Sequence, residues 1–143
     1  MTTWYSAELT GIDSLPVVKP SSAAYSSGLY RFRAVIALAT QLVNDTIVIG
    51  VIPAGYAFAF GVLCSTVSLG TSTIAIGIAG TAGKYRAAAT FTAIDTPTLY
   101  GLTANLSATA LTASERQIIT VTTANLPASG TLVVDQYWSS INT

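Results

Sequence analysis

The stretch TIVIGVIPAGYAFAFGVL, residues 46–63, decides how this chain folds. Its first part, Thr46–Ile52, is rich in β-branched residues, which predicts a strand buried on both sides. Pro53-Ala54-Gly55 then turns the chain. Beyond the turn the residues alternate. Tyr56, Phe58, Phe60 and Val62 share one face, and Ala57, Ala59 and Gly61 share the other. The bulky face is expected to fill the core of a sandwich. The small face is expected to admit something close: a second sheet, an arm or another subunit, with tight packing inside the chain as the competing reading. The 18 residues Ile47–Cys64 carry no charge and reach the length of a membrane-spanning helix. A helix would break at Pro53-Ala54-Gly55, so no span is expected.

Outward from this stretch, strand patterns repeat on both sides. Upstream, Tyr30, Phe32, Ala34, Ile36 and Leu38 alternate with Arg31, Arg33, Val35 and Ala37, and Asn44-Asp45 marks a turn. Downstream, Ile74, Ile76 and Ile78 oppose Thr73, Ala75, Gly77 and Ala79, again with one large and one small face. Gly80–Gly83 suggests a loop before a strand over Lys84–Ala93. Thr98–Ala113 suits either a strand pair or an irregular connection. Arg116–Thr123 and Thr131–Trp138 are further strands, the last with Leu132, Val134, Gln136 and Trp138 on one face. About eight strands divided by turn signals predict an all-β chain, an antiparallel β-sandwich or jelly roll spanning residues 27–143. Residues 1–26 mix Trp4, Tyr5 and Tyr25 with Pro16, Pro20 and a run of Ser, and suggest an extended N-terminal arm with one short strand near Thr3–Leu9. The first ten residues lack a basic and then apolar pattern, so no signal peptide is expected.

Composition narrows the function. Of 143 residues 8% are charged, against about 25% in an ordinary soluble domain, and six basic residues cancel six acidic ones. Lys and Glu, which fill exposed helix faces, are nearly absent. Few charges and many hydroxyls suit a surface that meets other protein. A neutral chain lacks the basic footprint of a nucleic-acid binder. The absence of His removes the commonest metal ligand and general base, and a single Cys makes neither an internal disulfide nor a thiolate zinc site.

No catalytic constellation, metal site or cofactor motif stands out, so an enzyme is not expected. A serine triad lacks its His. Cys64 lies in an apolar strand and is expected to be inert core. Asp45 and Asp95 sit beside turns, where Asp commonly bonds its own backbone. Gly77–Gly83 is glycine-rich, yet no Lys-Ser or Lys-Thr follows as a phosphate-binding loop requires. Candidate interface residues are Trp4, Tyr5 and Tyr25 in the arm, and Ala57, Ala59, Gly61, Ala75 and Gly77 on the small strand faces. Arg31 and Arg33 are candidates for ion pairs between subunits, or for a solvated edge that discourages misassembly. Trp4, Tyr5, Tyr137 and Trp138 could stack on a sugar if exposed, against the reading that Trp138 is core and Trp4 anchors the arm.

The stretch ALATQLVNDTIVIGVIPAGYAFAFGVL (residues 37–63), followed by STIAIG at 72–77, resembles the capsid decoration or cement proteins of tailed bacteriophages. The likeness extends over residues 28–95. It implies a β-sandwich or jelly roll that forms a homotrimer on the outer surface of a phage head, with the major capsid protein as partner. Relatives place acidic residues after the second strand, where this chain has Leu63-Cys64-Ser65-Thr66-Val67. The implied role is to bind a preformed shell and stabilise it by linkage. Another virion part (a head fibre base, a neck protein or a receptor-binding module) and a non-viral adhesin-like domain are the alternative readings.

Overall fold

The computed structural model describes residues 16–17, 28–106 and 109–140. Its strands are β1 (Leu29–Ala37), β2 (Thr46–Ile52), β3 (Tyr56–Ser65), β4 (Thr73–Ile78), β5 (Thr81–Thr90), β6 (Thr98–Tyr100), β7 (Glu115–Thr122) and β8 (Thr131–Ser140). They form two four-stranded sheets, β1-β8-β3-β6 and β2-β7-β4-β5, antiparallel throughout. The pairs β1–β8, β2–β7, β3–β6 and β4–β5 are the rungs of one long hairpin rolled up on itself. That is the order of an eight-stranded jelly roll. The hairpin's tip is the tight turn at Ala79-Gly80, where Gly80 takes a φ of 86°.

The core lies between the sheets. Ile36, Leu63, Leu132, Val134 and Trp138 face Ile49, Ile52, Ile74, Ile76, Ile119 and Val121. Each such side chain stabilises the fold by about 1.5–3 kcal/mol through its removal from water. Trp138 is fully buried, with Phe58 and Tyr85 at 5.2 and 5.6 Å, and its indole N–H donates to Gln136 at 3.1 Å. The alternations expected in β1 and β8 hold.

Four local readings change. β2 is an edge strand, not a strand buried on both sides: Ile49 and Ile52 are buried while Val48 and Val51 are exposed. In β3 the register slips between Phe58 and Phe60. The extra residue, Ala59, flips everything after it. Phe58, Gly61, Leu63 and Ser65 pair with the inward register of β8 and β6, whereas Phe60, Val62 and Cys64 face out. Cys64 is therefore half-buried on the outer face rather than in the core. The residues expected to loop over 81–83 belong to β5. Of the segment 98–113, Thr98–Tyr100 forms the short strand β6 against β3, and the described residues after it are irregular apart from a 3-10 turn at Thr103–Asn105. The uncharged run Ile47–Cys64 is two strands, and no helix among the described residues is long and apolar enough to cross a membrane.

Candidate interaction surface

The outer face of β1-β8-β3-β6 is built in rows by the register. Arg31, Tyr137 and Phe60 form one row. Arg33, Asp135, Val62 and Leu99 form the next, and Val35, Val133 and Cys64 a third. Phe60 and Tyr137 stack, with centroids 4.6 Å apart and planes 16° from parallel. Leu99 is 72% exposed and Val35 65%, with Leu29 further along the edge strand at 54%. A sheet face that only met water would carry alternating polar residues. This one is largely aliphatic and aromatic, which makes it the candidate contact surface of the described residues.

Its charges are few and placed. Arg33 grips Asp135 with both prongs of its guanidinium, Nε to Oδ1 at 2.7 Å and Nη2 to Oδ2 at 2.6 Å. The hydrogen bonds from Arg33 hold the Asp135 carboxyl below its usual range against the opposing effect of burial. Arg31, two residues earlier, makes no ion pair among the described residues and acts on Asp135 only through space.

At one end of the sandwich four loops meet: residues 38–45, 66–72, 91–97 and 123–130. Backbone bonds knit them, among them Leu38 N–H to the Gly130 carbonyl (2.9 Å), Leu69 N–H to Phe91 (2.9 Å) and Asp95 N–H to Ser65 (2.8 Å). Leu42, Val43 and Ile94 are exposed there. The charges of these loops are Asp45 and Asp95, with no Lys or Arg. Asp45 accepts from the Leu42 N–H at 2.7 Å, the self-bonding expected of it.

At the opposite end a cavity of about 130 Å³ is lined by Phe58, Tyr85, Trp138, Leu111, Lys84 and Asn105, among others. Beside it Lys84 pairs with Glu115, which also accepts from the Tyr85 hydroxyl at 2.7 Å and from Gln117 Nε2 at 3.0 Å. Burial pushes the Glu115 carboxyl up, but these donors together outweigh it and hold it below its ordinary value. Burial and the bond to Glu115 push the Tyr85 phenol well up. Glu115 is thus held from three sides, while the buried Gln117 Oε1 accepts no hydrogen bond among the described residues. The aromatic rings of the cavity are buried in the core, leaving no open face on Trp138 for a sugar. No group of three or more His, Cys, Asp or Glu among the described residues is placed to hold a metal ion.

Among solved structures, a chain of the cyanophage Pam1 capsid asymmetric unit superposes with a TM-score of 0.66 at 17% identity, covering 81% of this chain and 87% of that one. A chain of the capsid of Ralstonia phage GP4 superposes with a TM-score of 0.62 at 16% identity, covering 91% and 94%. This chain shares its fold with both. The likeness runs over most of each molecule, so it concerns the whole jelly roll and not one hairpin. No family model and no curated protein matches the chain.

The candidate interface residues separate on this frame. Trp4, Tyr5 and Tyr25, with the expected arm and its strand near Thr3–Leu9, lie outside the described residues. Gly61 is covered from within, because a β-carbon there would run into the Tyr100 ring. At Gly77 a β-carbon would run into the carbonyls of Thr81 and Ala82 at the hairpin tip. Ala57 and Ala75 are buried, and Ala59 is the bulged residue. Arg31 and Arg33 lie on the outer sheet face just described. Sequence reasoning missed Phe60, Tyr137, Leu99 and Asp135 as parts of one surface. Their adjacency is a product of strand order, which one sequence does not display.

Proposed function

We propose that this chain is a structural virion protein: a capsid decoration, or cement, protein that binds the outer surface of a phage head as a homotrimer. The observation that carries the reading is the jelly roll held in common, over most of both chains, with chains of two phage capsids. The apolar outer sheet face supports it, since it supplies a contact surface with no chemistry attached. Fold alone hosts many functions, so the surface matters as much as the topology. The partner is the major capsid protein. Many copies bound to one shell need only modest affinity each, because occupancy of the assembled lattice stabilises it over free subunits. The chain is not an enzyme in this reading and uses no cofactor. It is made in the host cytoplasm and ends on the virion. Residues 1–26 serve as an arm that reaches the shell or a neighbouring copy.

The test is co-sedimentation of purified chain with phage heads lacking it. The reading predicts saturable binding, and heads that resist heat or expansion better once coated. No binding, or binding that leaves head stability unchanged, contradicts the cement role.

A further inference from the structure

The charges of this chain cancel in sum but not in place. The outer face of β1-β8-β3-β6 carries Arg31, Arg33 and Asp135, an excess of one positive charge set among Leu29, Val35, Leu99 and the Phe60–Tyr137 stack. The four-loop end carries Asp45 and Asp95, an excess of two negative charges beside Leu42, Val43 and Ile94. Within the first surface Arg33 is occupied by Asp135, which leaves Arg31 as the cation with no bonded partner among the described residues. Within the second, the Asp45 carboxylate accepts from a backbone N–H, which leaves the Asp95 carboxylate without a donor among the described residues. Elsewhere Lys84 is held by Glu115, Arg86 donates to the carbonyls of Ile74, Ala89 and Thr90, and Arg116 stands unpaired among the described residues on the outer face of the other sheet, away from both surfaces. The molecule thus presents an apolar surface with a spare cation and, on a different side, an apolar surface with a spare anion.

We propose that the two surfaces meet between copies: the four-loop end of one copy seats on the outer face of β1-β8-β3-β6 of the next, with Asp95 toward Arg31. This rests on the decoration reading for the number of copies and names the surfaces that join them. Face-to-face pairing across a two-fold axis is disfavoured, because it would set one positive face against another. An end seated on a face is a heterologous contact, and such contacts close into a ring when the rotation between copies permits. Charge then sets partner and register, while Leu29, Val35, Leu99, Ile94 and the aromatic stack supply the apolar burial.

The experiment is light scattering after size exclusion on the full chain and four variants. Arg31→Glu and Asp95→Arg should each weaken association about tenfold or more. Arg31→Glu combined with Asp95→Arg, which swaps the charges, should restore the mass of the original. Arg116→Glu, on the outer face of the other sheet beside Val51, should leave the mass unchanged. Matching thermal melts establish that the exposed substitutions leave the fold intact. A chain that is monomeric at high concentration overturns the proposal. So do single variants that keep the original mass, a double variant that stays dissociated, or an Arg116→Glu that dissociates. Co-sedimentation with heads is scored separately. A trimer that ignores heads sinks the decoration reading alone, and a monomer that coats heads sinks this one alone.

Discussion

At Gly61 and Gly77 single atoms decide what the sheet tolerates. The Tyr100 ring lies where a Gly61 β-carbon would be, and ring atoms can move; at Gly77 the obstacle is backbone, which cannot. Gly61→Ala should therefore cost about 1–3 kcal/mol by overpacking, and Gly77→Ala more, as read from denaturant melts. Removing the ring with Tyr100→Ala should absorb much of the Gly61→Ala cost, a coupling that a double-mutant cycle measures directly. The carboxylates set the pH response. Asp135 and Glu115 sit below their ordinary values of 3.8 and 4.5 in the folded chain. Between the folded and unfolded values the unfolded state binds more protons, so stability rises with pH in that window. Their contribution is complete above about pH 5 and is lost as pH falls through the lowered values. Melting temperature followed from pH 7 to pH 2 should show this acid limb, and Asp135→Asn should flatten part of it. An unchanged limb in that variant would contradict the role given to the Arg33–Asp135 pair.

Elements show what the sequence could and could not reveal. β1 and β8 alternate in sequence, so their faces are legible from the order of residues alone. β3 alternates just as cleanly and misleads. One bulged residue, Ala59, moves Phe60 and Val62 from the expected core face to the outer one, and nothing in a run of Ala and Phe announces it. β2 misleads for another reason. Its β-branched run satisfies the pattern of a doubly buried strand, but burial is decided by what packs on each face, and here only the inner face meets the other sheet. The open outer face of β2 makes a sharp prediction. Val48→Lys and Val51→Lys should change stability by less than about 0.5 kcal/mol, whereas Ile49→Ala on the same strand should cost about 2–5 kcal/mol. Equal losses at all three positions in a chemical melt would mean that the outer side of β2 is covered. The candidate surface is legible in its materials (Arg31, Arg33, an apolar excess) but not in its layout, because β1, β8, β3 and β6 come from four distant parts of the chain.

For the whole molecule the composition and the architecture agree. A chain with so few charges keeps a core between two sheets and still has apolar residues left for its outside, most of all on the outer face of β1-β8-β3-β6. A free domain gains nothing from that face, while a lattice-bound one stabilises its lattice through it. The sandwich itself should fold and unfold in one cooperative step, since both sheets share one core. Trp138 sits at its centre, so Trp138→Ala should cost about 3–5 kcal/mol in a denaturant melt. The claim that matters most is where the molecule resides. Immunogold labelling of intact virions with an antibody against this chain measures that directly. The account predicts label spread over the outer surface of the head. Label confined to the tail or neck, or a head that is labelled only after it is broken open, would contradict it.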